Sequence, residues 1–235
     1  MTERPSRRRL LHLLGGSAVV GLAGCRGGGS DDGCESGEVT LTGPDGSTHC
    51  VAPVESDGSI EEFYGFDSEG NRSANVPDEL TENDATVTFV YRDTAADERS
   101  LVVVHGDAGS EADADGVAPV TFEGVEGYEW LVQDGPPNAV PYTTPDGAFD
   151  GPETALWNWP SDRTDGGALG VLGEAFDVEI RHRATATVDG TTMERTGIDR
   201  WLFADGADLE NPVELASFDD SSGDVSVQLS AGDGG

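Results

Sequence analysis

Two short apolar stretches constrain the fold of this chain more than any other feature. Residues 85–91 place Val87, Phe89 and Tyr91 at alternate positions, with Thr86, Thr88 and Val90 between them. A period of two puts those two sets on opposite faces of a β-strand. Residues 100–105 hold the unbroken run Leu101-Val102-Val103-Val104, the pattern of a strand covered on both faces. Shorter runs of the same kind follow at 120–122, 128–132, 155–159, 176–180, 183–188, 199–203, 213–216 and 225–229. Gly, Asp, Pro and Ser separate them. Asp-Gly pairs recur at Asp45-Gly46, Asp57-Gly58, Asp115-Gly116, Asp134-Gly135, Asp165-Gly166, Asp189-Gly190 and Asp205-Gly206, and such pairs supply the positive φ that hairpin turns want. Their spacing is irregular, so they read as turns and not as an internal repeat. Residues 76–82 and 168–174 each predict one helical turn, and neither sustains a 3.6-residue period. The expectation is an all-β fold: a single antiparallel β-sandwich over residues 34–230, with 231–235 a disordered tail.

The charge balance tests that expectation. The chain carries 46 acidic and 13 basic residues, a formal charge of −33, and every basic residue is arginine. Chains this acidic are often disordered. Here the apolar residues recur in ordered alternation, with four Trp, four Tyr and eight Phe at strand-like positions. A charge of this size repels itself and opposes compaction. In molar salt the Debye length shrinks to roughly 3 Å and that opposition fades. Carboxylates hold water, whereas lysine stems add apolar surface that salting-out conditions penalise. In this the chain resembles haloarchaeal proteins, and most of its carboxylates read as solvated surface. The densest basic group after the N-terminal region is Arg181-His182-Arg183. That is too small to replace counterions along a nucleic acid, or to attach the chain directly to anionic headgroups.

The N-terminus speaks to location. Ser6-Arg7-Arg8-Arg9-Leu10-Leu11 opens an apolar run over residues 10–24 that is interrupted by Gly15-Gly16 and ends at Leu22-Ala23-Gly24-Cys25. The run is too short to span a bilayer and has the layout of an export signal. It resembles a twin-arginine signal, with Arg7 and Arg8 as the recognised pair, followed by a lipobox. The resemblance implies cleavage before Cys25, lipid attachment to its thiol, and residence on the outer face of the cell membrane. Residues 1–24 are then the signal. Residues 25–33 combine the lipidated cysteine with the flexible tether Arg26-Gly27-Gly28-Gly29-Ser30-Asp31-Asp32-Gly33.

With Cys25 lipidated, Cys34 and Cys50 remain, in a compartment where disulfides persist. A symmetric hairpin about Asp45 sets Cys50 opposite Thr40, not opposite Cys34. A bridge therefore requires the 34–37 segment to fold back, which Gly33 and Gly37 permit. Such a bridge would contribute about 3 kcal/mol in the chain-entropy account. Two free thiols or a metal-binding pair are the alternatives.

Two patterns are candidates for ligand chemistry. Leu156-Trp157-Asn158-Trp159-Pro160 precedes Ser161-Asp162-Arg163-Thr164-Asp165-Gly166. On a strand, Trp157 and Trp159 share a face. If that face is open, two indoles beside Asp162 and Asp165 make a sugar-stacking platform; in the commoner arrangement both indoles fill the core. This stretch, with Phe176-x-Val178-x-Ile180 and Ile198-x-x-Trp201-x-Phe203, resembles β-rich modules of uncharacterised haloarchaeal and bacterial surface proteins. The resemblance implies a β-rich fold and a surface location, and names no catalytic residue. The second pattern is Glu111-Ala112-Asp113-Ala114-Asp115-Gly116, whose alternating carboxylates could ligate calcium. Measured against a calcium-binding EF-hand loop, its twelfth position is Phe122, and the acid comes one residue late at Glu123. A solvated acidic loop is again the commoner arrangement.

Catalytic motifs are absent from the sequence. It has no Gly-x-Ser-x-Gly, no His-Glu-x-x-His and no phosphate-cradling glycine loop. His49, His105 and His182 are dispersed, and the only methionine after the signal is Met193, which argues against a blue-copper site. His105-Gly106-Asp107 is the one local arrangement suited to acid–base chemistry. The function expected is that of a lipid-anchored binding or structural module of a halophilic cell envelope. Its partners would be glycan, surface-layer protein or a divalent cation such as calcium, and not nucleic acid. The alternative is a secreted, glycosidase-like hydrolase whose carboxylate pair meets only in space.

Overall fold

The computed structural model describes residues 34–65, 74, 76–106, 115–134, 153–159, 164–188, 191–218 and 223–232. All belong to one compact unit, Cys34–Gly235. Its strands in chain order are β1 (Val39–Thr42), β2 (Thr48–Val51), β3 (Val54–Ser56), β4 (Ala85–Asp93), β5 (Glu98–His105), β6 (Gly116–Glu123), β7 (Glu129–Asp134), β8 (Thr154–Trp159), β9 (Asp165–Leu172), β10 (Phe176–His182), β11 (Thr185–Val188), β12 (Thr191–Glu194), β13 (Arg200–Asp205), β14 (Asp208–Ser217) and β15 (Val225–Ala231). One short helix, α1 (Ile60–Tyr64), and a 3-10 turn at Asp78–Leu80 lie between β3 and β4.

Two sheets carry the architecture. The first runs β2-β1-β15-β10-β6-β8 and is antiparallel throughout. The second runs β14-β13-β4-β5-β9-β7. It is antiparallel except along one edge of β4, where β13 pairs in parallel with the Ala85 end and β3 with the Asp93 end. The hairpin β11-β12 stands apart. Alternation along the strands explains the packing. Leu41, Val120, Phe122, Val178, Ile180 and Leu229 of the first sheet meet Val90, Leu101, Val103, Leu169 and Phe203 of the second in one core.

The second sheet is also covered on its other face. Val87, Phe89 and Tyr91 of β4, with Val102 and Val104 of β5, pack there against Ile60, Tyr64, Val76 and Leu80. This is why residues 101–104 are apolar without a break: neighbouring residues face different cores. The all-β sandwich expected from the sequence is therefore present, with a thin outer layer over one sheet.

Local details show what the residues require. In α1, Ser59 Oγ accepts the Glu62 amide at 3.3 Å, and Gly65 closes the helix at φ 68°, a serine cap at one end and a left-handed glycine at the other. Cys34 and Cys50 are joined, with Cα atoms 5.3 Å apart. Cys50 lies opposite Thr40 in the ladder, and the chain folds back through Gly37 at φ 97° to reach it.

Three expectations are corrected. Residues 168–174 do not turn helically; most lie in β9, whose glycines allow Trp130 and Leu131 to lie against the strand. Asp115-Gly116 and Asp165-Gly166 are not hairpin turns, because both glycines lie inside strands. Gly116 is required for packing, since a Cβ there would overlap the Trp159 indole. Finally, β15 runs through Ala231, which pairs with Phe176, so the ordered domain extends past residue 230.

Candidate functional site

The Trp157/Trp159 face is closed. Trp157 is 0% and Trp159 2% exposed, and both belong to the core between the sheets. Trp157 Nε1 donates to the Gly166 carbonyl at 2.7 Å. The sugar-stacking platform is thereby corrected: the indoles that would make it are packed inside the sandwich. Asp165 is buried beside them, and its carboxylate accepts the Asn158 amide at 3.0 Å and the Gly166 amide at 2.8 Å. Asp162 lies outside the described residues.

Around these indoles the sandwich encloses polar side chains. His105 closes β5 and stands opposite Thr86 and Asp165 on neighbouring strands. Its Nδ1 is 2.8 Å from Thr86 Oγ1, and its ring stacks on Trp159 at 4.9 Å with an 11° tilt. His182 sits 6.0 Å away, packed 4.5 Å from Trp201. Neither ring nitrogen of His182 has a hydrogen-bond partner among the described residues, nor does His105 Nε2. On the opposite face of the second sheet, Tyr64 donates its hydroxyl to Asp134 Oδ2 at 3.2 Å.

Burial sets the protonation of these groups. It holds His105 well below the ordinary histidine range, with His182 adding to the effect. It lowers His182 to about 3, reinforced by Arg195. Burial pushes Asp165 well above the usual carboxylate range, with the Asp134 charge adding to it. It also raises Tyr64, helped by Asp134 and Asp165. The imidazoles are therefore neutral at pH 7 and serve the core as polar aromatic rings. His105-Gly106-Asp107 does not form an open acid–base site: His105 is 0% exposed, and Asp107 lies outside the described residues.

An open site lies elsewhere, on the outer side of the second sheet where α1 crosses it. A pocket of about 100 Å³ is walled by Ile60, Leu131 and Val171 and floored by Tyr91 and Ser100. Glu61 from the helix and Asp93 and Glu98 from β4 and β5 bring carboxylates to it, and no basic residue lines it. Phe63 packs on Tyr91 at 4.6 Å and holds that ring in place. Asp93 uses Oδ1 to accept the Ala95 and Ala96 amides at 2.8 and 3.2 Å. Sequence reasoning missed this pocket because its residues come from five separate segments. One local signal was present: Ser59-Ile60-Glu61-Glu62 has the spacing of a helix-starting capping box.

The remaining sequence-predicted residues divide plainly. Arg7, Arg8, Cys25, Glu111 and Asp113 lie outside the described residues. Asp115 is exposed just before β6, and Thr196 Oγ1 donates to its carbonyl at 3.4 Å. Cys34, Glu38 and Cys50 bring possible ligand atoms within 4.8 Å of one another. The two sulfurs are bonded to each other, however, and cannot act as the thiolates a metal would need. No other group of three such residues converges among those described. Nor is any described helix long and apolar enough to cross a membrane. No family model, curated protein or solved structure matches the chain.

Proposed function

We propose that this chain is an exported, lipid-anchored β-sandwich serving as a binding or structural module of a halophilic cell envelope. Export rests on Arg7-Arg8 and the apolar run behind them, and anchoring rests on Cys25 after Leu22-Ala23-Gly24. The acidic, lysine-free composition suits a surface that stays hydrated in concentrated salt. One observation favours binding over catalysis: His105, His182, Asp134 and Asp165 are sealed inside the cores. A hydrolase needs its carboxylates in reach of substrate and water. Asp134 and Asp165, at 0% and 3% exposure, reach neither.

The test has two arms. With the gene expressed in a salt-adapted host, Cys25→Ser should release the protein into the medium or stop its maturation, and Arg7→Lys with Arg8→Lys should halt export. Unchanged membrane retention of the cysteine variant would remove the anchor from this reading. Hydrolysis of glycans and peptides is then screened in molar salt. Turnover abolished by Asp134→Asn or Asp165→Asn would replace the binding module with a hydrolase.

A further inference from the structure

The pocket beside α1 combines three features that point to one kind of ligand. Glu61, Asp93 and Glu98 surround it with negative charge and no basic residue answers them. A divalent ion would want six to eight converging oxygens, yet these carboxylates do not gather within 4.8 Å as a chelating group. The charge is therefore spread around the pocket and not focused on a point. The walls are carbon: Ile60, Leu131, the Tyr91 ring and Val171, which at 44% is the exposed large hydrophobic residue among those described. A bare or hydrated metal ion gains nothing from such walls, whereas an alkyl group does.

Ser100 supplies the independent observation. It is 3% exposed and lines the pocket; its backbone lies in the ladder opposite Tyr91 and Gly170, while its hydroxyl makes no hydrogen bond to another described residue. A hydroxyl held in an apolar strand without a partner is costly unless something supplies one. From this position it can accept an N–H.

We infer that this pocket binds a small organic cation, a primary ammonium carried on a short apolar body. The inference rests on the binding-module reading and names the class of ligand for it. Carboxylates at the rim attract the charge, the apolar walls take the alkyl part, and Ser100 Oγ accepts one ammonium N–H. A volume near 100 Å³ admits only a few heavy atoms, so the ligand is a small amine or the end of a longer one.

The experiment is calorimetric titration of the full chain, purified in detergent and kept in molar NaCl. The probes are butylammonium, tetramethylammonium, 1-butanol, calcium chloride and a neutral disaccharide. Butylammonium should bind with one-to-one stoichiometry and 1-butanol should not. Glu61→Gln combined with Glu98→Gln, both exposed and remote from the core, should weaken butylammonium about tenfold. Ser100→Ala should weaken butylammonium about fivefold and leave tetramethylammonium, which has no N–H, unchanged. The inference is overturned by equal binding of 1-butanol, by a double variant that binds as well as the parent, or by calcium displacing the amine. Disaccharide binding without amine binding would sink this inference alone and leave the binding module standing. Substrate turnover in place of binding would sink both.

Discussion

The two faces of the second sheet show how differently one strand can be used. Facing the first sheet, β4 and β5 present Thr86, Thr88 and His105 among three tryptophans, so polar atoms are enclosed and partly paired. Facing α1, the same strands present Val87, Phe89, Val102 and Val104 to a thin layer of Ile60, Tyr64, Val76 and Leu80. Among the described residues, the inner core is closed by a whole sheet, and the outer one by a five-residue helix, a 3-10 turn and Ala74 and Val76 between them. Burial is therefore not one condition. The inner face exploits aromatic rings that tolerate a polar edge, and the outer face combines aliphatic contact with the Phe63, Phe89 and Tyr91 rings and the Tyr64–Asp134 hydrogen bond. The open pocket lies over the second sheet's outer face, beside the thinner cover.

The sharpest way to break this contrast is truncation on each side. Trp157→Ala should cost about 4 kcal/mol in denaturant unfolding, because it empties the inner core and strands the Gly166 carbonyl. Leu80→Ala should cost about 3 kcal/mol, with amide exchange rising selectively in α1. If both variants instead raised exchange equally throughout, the two cores would be a single cooperative unit.

Acid provides the next test. His182 falls from about 6.5 unfolded to about 3 folded. The unfolded chain thus binds the proton first, and stability is present above the unfolded value and lost as pH drops from 6.5 towards 3. His105 acts in the same direction, while Asp165, raised in the fold, opposes both as pH changes above 3.8. Comparing parent with His182→Phe in molar salt should reveal a difference in slope of about 1.4 kcal/mol per pH unit, with the variant flatter. It should be no less stable at pH 7, since phenylalanine carries no unpartnered nitrogen. Parallel acid limbs would mean that His182 meets solvent. The smallest effect expected is Thr88→Val, about 1 kcal/mol, because it deprives Trp201 Nε1 of its 3.0 Å acceptor.

How much of this was legible depended on whether side chains recorded their surroundings. Residues 85–91 and 101–104 did so, because each residue faces one core or the other and its polarity follows. Residues 165–172 did not: Gly166, Gly167 and Gly170 have no side chain to alternate, and their role is to let neighbours approach. Pairing partners were equally silent, since a period of two fixes faces and leaves open whether β13 runs parallel to β4. The Cys34–Cys50 fold-back was readable because the Asp45 turn fixed the register and left one geometry for a bridge. The pocket was not. Its carboxylates are three among 46 acidic residues, and beyond the helix-start spacing around Glu61 nothing local distinguishes them until the chain brings Ser100 and Val171 alongside.

The pairing of β1 with β15 carries a mechanical consequence. Thr40 lies across from Ser230, so the first and last strands of the domain are antiparallel neighbours, with their outer ends together. Tension between those ends would peel the ladder apart one pair at a time, the direction in which a sheet yields most easily. Tension on the N-terminal end alone meets a different path, because the Cys34–Cys50 bond passes the pull into β2 as well as β1. The domain is thus suited to hang from one end of its chain, as a bead on a thread, and poorly suited to serve as a link within one.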